Sequence, residues 1–299
     1  MTKARRTFQG SLVAMVTPFR DGQVDEAKLR ELVEFHVTHG TDGLVPCGTT
    51  GESPTLSHAE HKRVVEIVVE AAAGRIPVVA GTGSNSTAEA IDMTVHAARA
   101  GADAALLVSP YYNKPTQEGL YRHFRAIAEA APDLPMIPYN IQGRTAVNIE
   151  TETMARLAQI PNIVGVKEAS GSLDQMTAVV LACGPDFAVL SGDDTLTLPL
   201  MSVGGRGVIS VVANFLPREV ADLTHAALEG DWKRARDLHW KLFPICKAVF
   251  LETNPIPVKE AMAMLGLIRP EWRLPMCPMS DGNREKLRKV LIQAGVLKA

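Results

Sequence analysis

Eight short apolar runs, separated by amphipathic stretches, constrain the fold of this chain more than any other feature of its sequence. They occupy residues 12–17, 43–45, 77–80, 104–108, 136–139, 163–167, 188–191 and 207–210. A strand buried on both faces reads as a continuous apolar run, and a helix that covers a sheet shows an apolar stripe opposite a charged one. The stretch after the second run has that stripe. Val64, Val65, Val68 and Ala72 fall on one side, and Lys62, Arg63, Glu66 and Glu70 on the other. Ser57 with Glu60, and Ser86 with Glu89, have the spacing of capping boxes and mark two helix starts.

Eight βα units within roughly 220 residues match an α/β fold of the (β/α)8 TIM-barrel type, whose usual length is about 250. A doubly wound open sheet would need a glycine fingerprint after its first strand, and Ala14-Met15-Val16-Thr17-Pro18-Phe19 carries none. Beyond Gly230 the pattern is helical only, over residues 231–250, 257–265 and 281–294, the last two closed by Gly266 and Gly295. The expected organisation is a barrel over residues 1–230 and a C-terminal helical extension over 231–299, which covers the barrel or serves oligomer contacts.

Composition then narrows the function. Thirty-one Lys and Arg balance 33 Asp and Glu with no long block of one sign, which argues against a nucleic-acid partner. Cys47, Cys183, Cys246 and Cys277 form no Cys-x-x-Cys pair, so reduced thiols in a cytoplasm are expected, with no metal or redox site. The basic start, residues 1–8, leads into an apolar run over 12–16 that is too short for a signal-peptide core or a membrane span. A soluble, cytoplasmic protein without a membrane partner is the expectation.

In a barrel of this kind the chemistry gathers at the C-terminal strand ends. The second strand runs into Cys47-Gly48-Thr49-Thr50-Gly51-Glu52-Ser53, where glycines admit close backbone approach and two hydroxyls suit a carboxylate; an ordinary turn is the plainer reading. Tyr111 and Tyr112 follow the fourth strand and Tyr139 ends the fifth, so three of the chain's four tyrosines stand at strand ends. A phenol bonded to a hydroxyl passes a proton in either direction, whereas an amphipathic aromatic at the rim has no such task.

The sixth strand is the sharpest signal: Ile163-Val164-Gly165-Val166-Lys167-Glu168. Alternation puts Ile163, Gly165 and Lys167 on one face, and Val164 and Val166 on the other. If the valines pack against helices, Lys167 points into the barrel. An ammonium there loses solvation, its pKa falls, and the neutral amine becomes a nucleophile for carbonyls. The competing reading is a rim lysine paired with Glu168.

Three weaker signals are set aside. Gly81-Thr82-Gly83-Ser84-Asn85-Ser86 lacks the last glycine of a dinucleotide loop. Gly192-Asp193-Asp194 reads as a polar turn with an N-cap role and not as a metal site. His58 and His61, three apart on a helix, supply too few ligands for a metal and fit a solvated or regulatory face.

Together, Gly48-Thr49-Thr50-Gly51-Glu52-Ser53, Ser109-Pro110-Tyr111-Tyr112-Asn113, Val166-Lys167-Glu168-Ala169 and Gly192-Asp193-Asp194 resemble the dihydrodipicolinate synthase and N-acetylneuraminate lyase family, and its synthase branch above all. The likeness runs from Gly10 to the Asn254-Pro255-Ile256-Pro257-Val258-Lys259 segment. It implies that Lys167 forms a Schiff base with pyruvate, whose enamine attacks the aldehyde of aspartate β-semialdehyde. It also implies that Thr49, Tyr139 and Tyr112 relay protons, with Tyr112 reaching in from a neighbouring subunit of a homo-oligomer, a dimer or a tetramer. Thr50, with Thr49, corresponds to the grip on the pyruvate carboxylate; Gly192 and the Ile209 carbonyl correspond to pocket-lining groups. Arg144 corresponds to the residue that holds the semialdehyde carboxylate, a task for which a planar guanidinium is apt. No cofactor is implied, because the lysine itself supplies the electron sink.

Two departures accompany these matches. After Tyr139-Asn140-Ile141 the family's usual proline is replaced by Gln142-Gly143, which frees a φ angle beside Arg144. Ser53, His58, His61, Asn85, Glu89 and Tyr111 correspond to a lysine-binding cleft of feedback-regulated members, but Pro54 differs from the residue common there. The other activities to weigh are a lyase acting on N-acetylneuraminate or a 2-keto-3-deoxy sugar acid, and a non-catalytic barrel that senses amino acids.

Overall fold

The computed structural model describes residues 8–298. Most of the basic N-terminal segment considered above, residues 1–7, lies outside them. Eight parallel strands are present: β1 (Gly10–Ala14), β2 (Gly43–Val45), β3 (Val79–Gly81), β4 (Ala104–Val108), β5 (Met136–Asn140), β6 (Gly165–Glu168), β7 (Ala188–Ser191) and β8 (Gly207–Ser210). Each pairs with its neighbour in sequence, β8 returns to β1, and a bridge between Leu44 and Val78 joins β2 to β3, which closes the barrel. A short antiparallel hairpin at Phe19–Arg20 and Gln23–Val24 follows β1.

Helices α1 (Glu26–Thr38), α2 (His58–Ala72), α3 (Thr87–Ala100), α4 (Gln117–Ala130), α5 (Thr151–Leu157), α6 (Leu173–Cys183), α7 (Thr197–Ser202) and α8 (Pro217–Leu228) ring the strands. Ser57 and Glu60 close a full capping box on α2. At α3 only half of the expected box forms. Ser86 caps the Glu89 amide, but the Glu89 carboxylate accepts from Ser84 Oγ at 2.8 Å, and the Ser86 amide turns to that same hydroxyl.

The strands sort their side chains with period two. Leu12, Ala14, Val45, Val79, Leu106, Ile137, Tyr139, Leu190 and Ile209 fill the interior, while Val13, Leu44, Leu107, Met136, Val166, Val189 and Val208 pack outward. Val166 facing the helices sends its neighbours Gly165 and Lys167 inward. The alternation expected over 163–167 holds only from Gly165, where the strand begins. Before it, Ile163 packs with the outer layer and Val164 with the inner one. The first run also leaves the sheet early, because the Val16 amide donates to Asn214 Oδ1 at 3.0 Å and not to a strand.

Three further helices, α9 (Trp232–Ala248), α10 (Ile256–Met264) and α11 (Asp281–Gln293), make up the extension. Leu242, Ile245, Val258, Met262, Leu287 and Leu291 from these helices share one buried cluster with Val13, Met15 and Leu44 of the barrel. The hydrophobic effect thus holds the extension to the barrel wall near β1 and β2.

Candidate active site at the strand ends

Lys167 and Tyr139 are partners in the β5–β6 register, on adjacent strands and the same inner face. The Lys167 Nζ lies 4.3 Å from the centre of the Tyr139 ring, and both side chains are buried. Burial lowers the Lys167 pKa to about 7; Arg144 pushes the same way and Asp194 opposes it. A buried amine without a bonded carboxylate loses its proton readily, since desolvation penalises the charged form. Burial also pushes the Tyr139 phenol up, against the opposing effects of Arg144 and a hydrogen bond with Thr49. The phenol is therefore neutral at physiological pH and able both to give and to accept a proton.

Room for the lysine comes from Gly192. A Cβ there would stand 3.2 Å from Lys167 Cε and 2.7 Å from the Ala169 methyl, so any side chain would press on the amine's stem. Ile209 of β8 is buried in the same interior cluster as Tyr139. The loop after β2 turns back on itself through Gly51 N to Gly48 O and Glu52 N to Thr49 O, each 3.1 Å. This turn leaves Thr49 beside Tyr139 and buries Thr50, whose hydroxyl accepts from Asn254 Nδ2 at 3.0 Å.

Arg144 stands on a one-turn helix, Gln142–Thr145, directly after β5. Its Nη2 donates to the Asn254 carbonyl at 3.3 Å, and the side chain lines a cavity of about 380 Å³ together with Thr49 and Tyr139. That cavity continues to Ser53, His58, His61, Glu89 and Tyr111. Asn85 joins this group indirectly, donating from Nδ2 to the Tyr111 carbonyl at 3.2 Å. Tyr112 is not among them. It is 89% exposed on a backbone with φ of +73°.

Of the solvated or regulatory face expected for the helical histidines, the solvated reading does not hold for His61. Its ring is buried, with Nε2 2.7 Å from the Gly81 carbonyl and Nδ1 3.3 Å from Ser53 Oγ, and burial lowers its pKa. The lone acceptor beside Nε2 makes it the donor, so Nδ1 accepts from Ser53. The Asp pair after β7 divides in two. Asp193 caps the following turn by accepting from Thr195 N at 2.8 Å, as a polar turn should. Asp194 instead is buried, accepts from Ser210 Oγ and from Val211 N, and places its carboxylate in the field of Lys167.

Sequence reasoning passed over one further group. Glu52, with φ of +53°, is buried against Lys259 of α10, whose Nζ donates to Glu52 Oε1 at 2.6 Å and to the Thr17 carbonyl at 3.1 Å. The Arg273 amide donates to the other Glu52 oxygen at 3.2 Å. The extension therefore braces the Gly48–Ser53 turn from outside the barrel. Among the described residues no group of three or more His, Cys, Asp or Glu is arranged to hold a metal ion.

Comparison with known proteins agrees with this architecture. Residues 7–294 match the model of the dihydrodipicolinate synthetase family. A 4-hydroxy-tetrahydrodipicolinate synthase from Syntrophus aciditrophicus is 57% identical over 290 residues, covering 97% of this chain and 99% of that protein. The crystal structure of dihydrodipicolinate synthase from Aquifex aeolicus superimposes with a TM-score of 0.96 at 54% identity, over 98% of this chain and all of the other. A structure from Cyanidioschyzon merolae with lysine bound gives 0.94 at 44% identity, over 97% and 99% of the two chains.

Proposed function

The chain belongs to the dihydrodipicolinate synthetase family, and on that premise we propose that it condenses pyruvate with aspartate β-semialdehyde to 4-hydroxy-tetrahydrodipicolinate in lysine biosynthesis. The observation that carries this reading is a buried, easily deprotonated Lys167 beside a bonded Tyr139–Thr49 pair. The neutral amine attacks C2 of pyruvate, and the carbinolamine expels its oxygen as water to leave an imine. Loss of a proton from C3 gives the enamine. Its C3 then forms the new carbon–carbon bond with the aldehyde, whose oxygen takes up a proton. The semialdehyde's own amine finally displaces Lys167 from the imine carbon, closing the ring and freeing the enzyme.

In this scheme Tyr139 and Thr49 carry protons to and from the carbinolamine and the new hydroxyl, and Tyr112 completes the relay from a neighbouring subunit. Exposure of Tyr112 on a lone chain is what such a role requires. Thr50 holds the pyruvate carboxylate, Gly192 and Ile209 shape the pocket around the imine, and Arg144 takes the semialdehyde carboxylate at the rim. Free lysine would occupy the far end of the cavity as an effector, its ammonium facing Glu89 among Ser53, His58, His61, Asn85 and Tyr111. No helix among the described residues is long and apolar enough to cross a membrane. The reading places the enzyme in the cytoplasm as a homo-oligomer.

Borohydride reduction in the presence of pyruvate should fix an adduct on Lys167, and turnover should require aspartate β-semialdehyde, with no cleavage of N-acetylneuraminate. A Lys167→Ala variant with undiminished turnover would refute the mechanism. Activity that stays constant up to millimolar lysine would remove the effector role.

A further inference from the structure

Asn254 lies in the segment that enters α10, 204 positions from Thr50 in sequence, and it touches both candidate substrate grips. Its side-chain Nδ2 donates to Thr50 Oγ1 at 3.0 Å, and its main-chain oxygen accepts from Arg144 Nη2 at 3.3 Å. The residue is only 5% exposed, yet its Oδ1 has no hydrogen-bond partner. A buried amide oxygen left bare is costly, and turning the amide over would give Oδ1 the Thr50 hydroxyl as a donor while taking the Nδ2 donors away from Thr50. The observed orientation does the reverse. It fills the acceptor side of the Thr50 oxygen and leaves its proton to point elsewhere.

We infer that Asn254 is a positioning residue for the reaction: by donating to Thr50 it reserves the Thr50 O–H as a donor for the substrate carboxylate. This rests on the reading that Thr50 holds pyruvate. A carboxylate only accepts hydrogen bonds, so a hydroxyl that has spent its proton on a neighbouring acceptor offers it nothing. Arg144 is steadied by the backbone of Asn254, and a side-chain substitution leaves that bond in place. The two substrates should therefore respond differently to changes at this position.

The test is a cycle of Asn254→Leu, Thr50→Val and the double variant, with KM measured separately for pyruvate and for aspartate β-semialdehyde. Asn254→Leu should raise the pyruvate KM by about tenfold, equivalent to about 1.4 kcal/mol, and move the semialdehyde KM by less than about threefold. The double variant should match Thr50→Val to within about twofold, because Asn254 acts through that hydroxyl, whereas independent sites would give additive effects. Additive effects, or an equal rise in both KM values, would overturn the inference. Should Asn254→Leu fail to fold, the near-isosteric Asn254→Asp decides, since it keeps the shape but turns the donor into an acceptor. Its pyruvate KM should rise at least as far, and an unchanged value would overturn the proposal. Failure of the underlying reading looks different: Thr50→Val by itself would then leave the pyruvate KM unchanged.

Discussion

If burial discharges Lys167, its reactivity should follow a titration curve centred far below that of an ordinary lysine. The structure takes the amine from 10.5 to about 7, chiefly by desolvation. At 1.36 kcal/mol per unit the shift corresponds to about 5 kcal/mol, and at pH 7 it leaves about half of the amine neutral, against about one in 3,000 at the ordinary value. Competitive labelling with trace acetic anhydride, resolved by mass spectrometry, reads this directly, with the 80%-exposed side chain of Lys233 as an internal reference. Labelling of Lys167 should rise through a midpoint near pH 7, plateau above pH 8, and be blocked by pyruvate. The flanking charges set the direction of two controls. Arg144→Leu removes a cation that disfavours the ammonium and should move the midpoint up, whereas Asp194→Asn removes an opposing anion and should move it down. Labelling that climbs tenfold per pH unit through pH 9 would show a solvated lysine and refute the argument.

The same desolvation makes Lys167 a burden on the fold. With the folded pKa below the unfolded one, the cost is complete below about pH 7 and fades as pH rises toward 10.5. Lys167→Met should therefore stabilise the protein by about 2 kcal/mol or more in urea denaturation at pH 6, and by little at pH 10. At the Glu52–Lys259 pair, whose side chains are 1% and 0% exposed, Lys259→Met strands a buried carboxylate and should cost about 3–5 kcal/mol, most of it recovered in the Glu52→Gln/Lys259→Met double variant. Equal losses in the single and double variants would contradict that account. For Tyr112, mixing inactive Lys167→Ala subunits with Tyr112→Phe subunits should restore about a quarter of the sites in a randomly assorted two-fold dimer. No recovery on mixing would place the phenol's task within its own chain.

The parts of the site legible in the sequence are those governed by local periodicity. Period two along β6 was enough to aim Lys167 inward, because Val166 had to meet the helices, and placing Tyr139 at the end of a strand put it one step across the sheet from that amine. Residues whose role depends on distant contacts were not legible. Asn254 meets Thr50 across 204 positions and Lys259 meets Glu52 across 207, and no spacing rule spans such gaps. For His61, two histidines three apart suggest a solvated or regulatory face, and only the solvated half fails, because the nearby Gly81 carbonyl supplies a buried partner. Asp193 and Asp194 look equivalent in sequence, yet backbone geometry made one a cap and the other a buried carboxylate within reach of the lysine's field. Family likeness supplied the candidate roles for the strand-end residues, but offered nothing on the bracing from α10.

Lys167 and Lys259 show why residue type alone could not settle the chemistry. Both are buried, and burial pulls both amines below the ordinary lysine value. Lys259 has the Glu52 carboxylate at 2.6 Å and the Thr17 carbonyl at 3.1 Å, so its ammonium is bonded and its effect is to hold a loop in place. Lys167 has an aromatic face beside it, the Arg144 cation acting against its charge, and an Asp194 whose own oxygens are engaged by Ser210 and Val211. An anion already hydrogen-bonded elsewhere attracts the ammonium without bonding it, so the proton is easily lost and the lone pair is free to attack a carbonyl. The difference between a strut and a proposed nucleophile thus lies in whether the carboxylate acting on the lysine bonds it or is engaged by other donors. Altering that engagement is a sharper perturbation than deleting either lysine. Ser210→Ala removes a hydrogen bond that favours the Asp194 carboxylate, so its pull on the Lys167 ammonium should weaken, the amine's pKa fall, and imine formation quicken below pH 7 while staying nearly unchanged at pH 9.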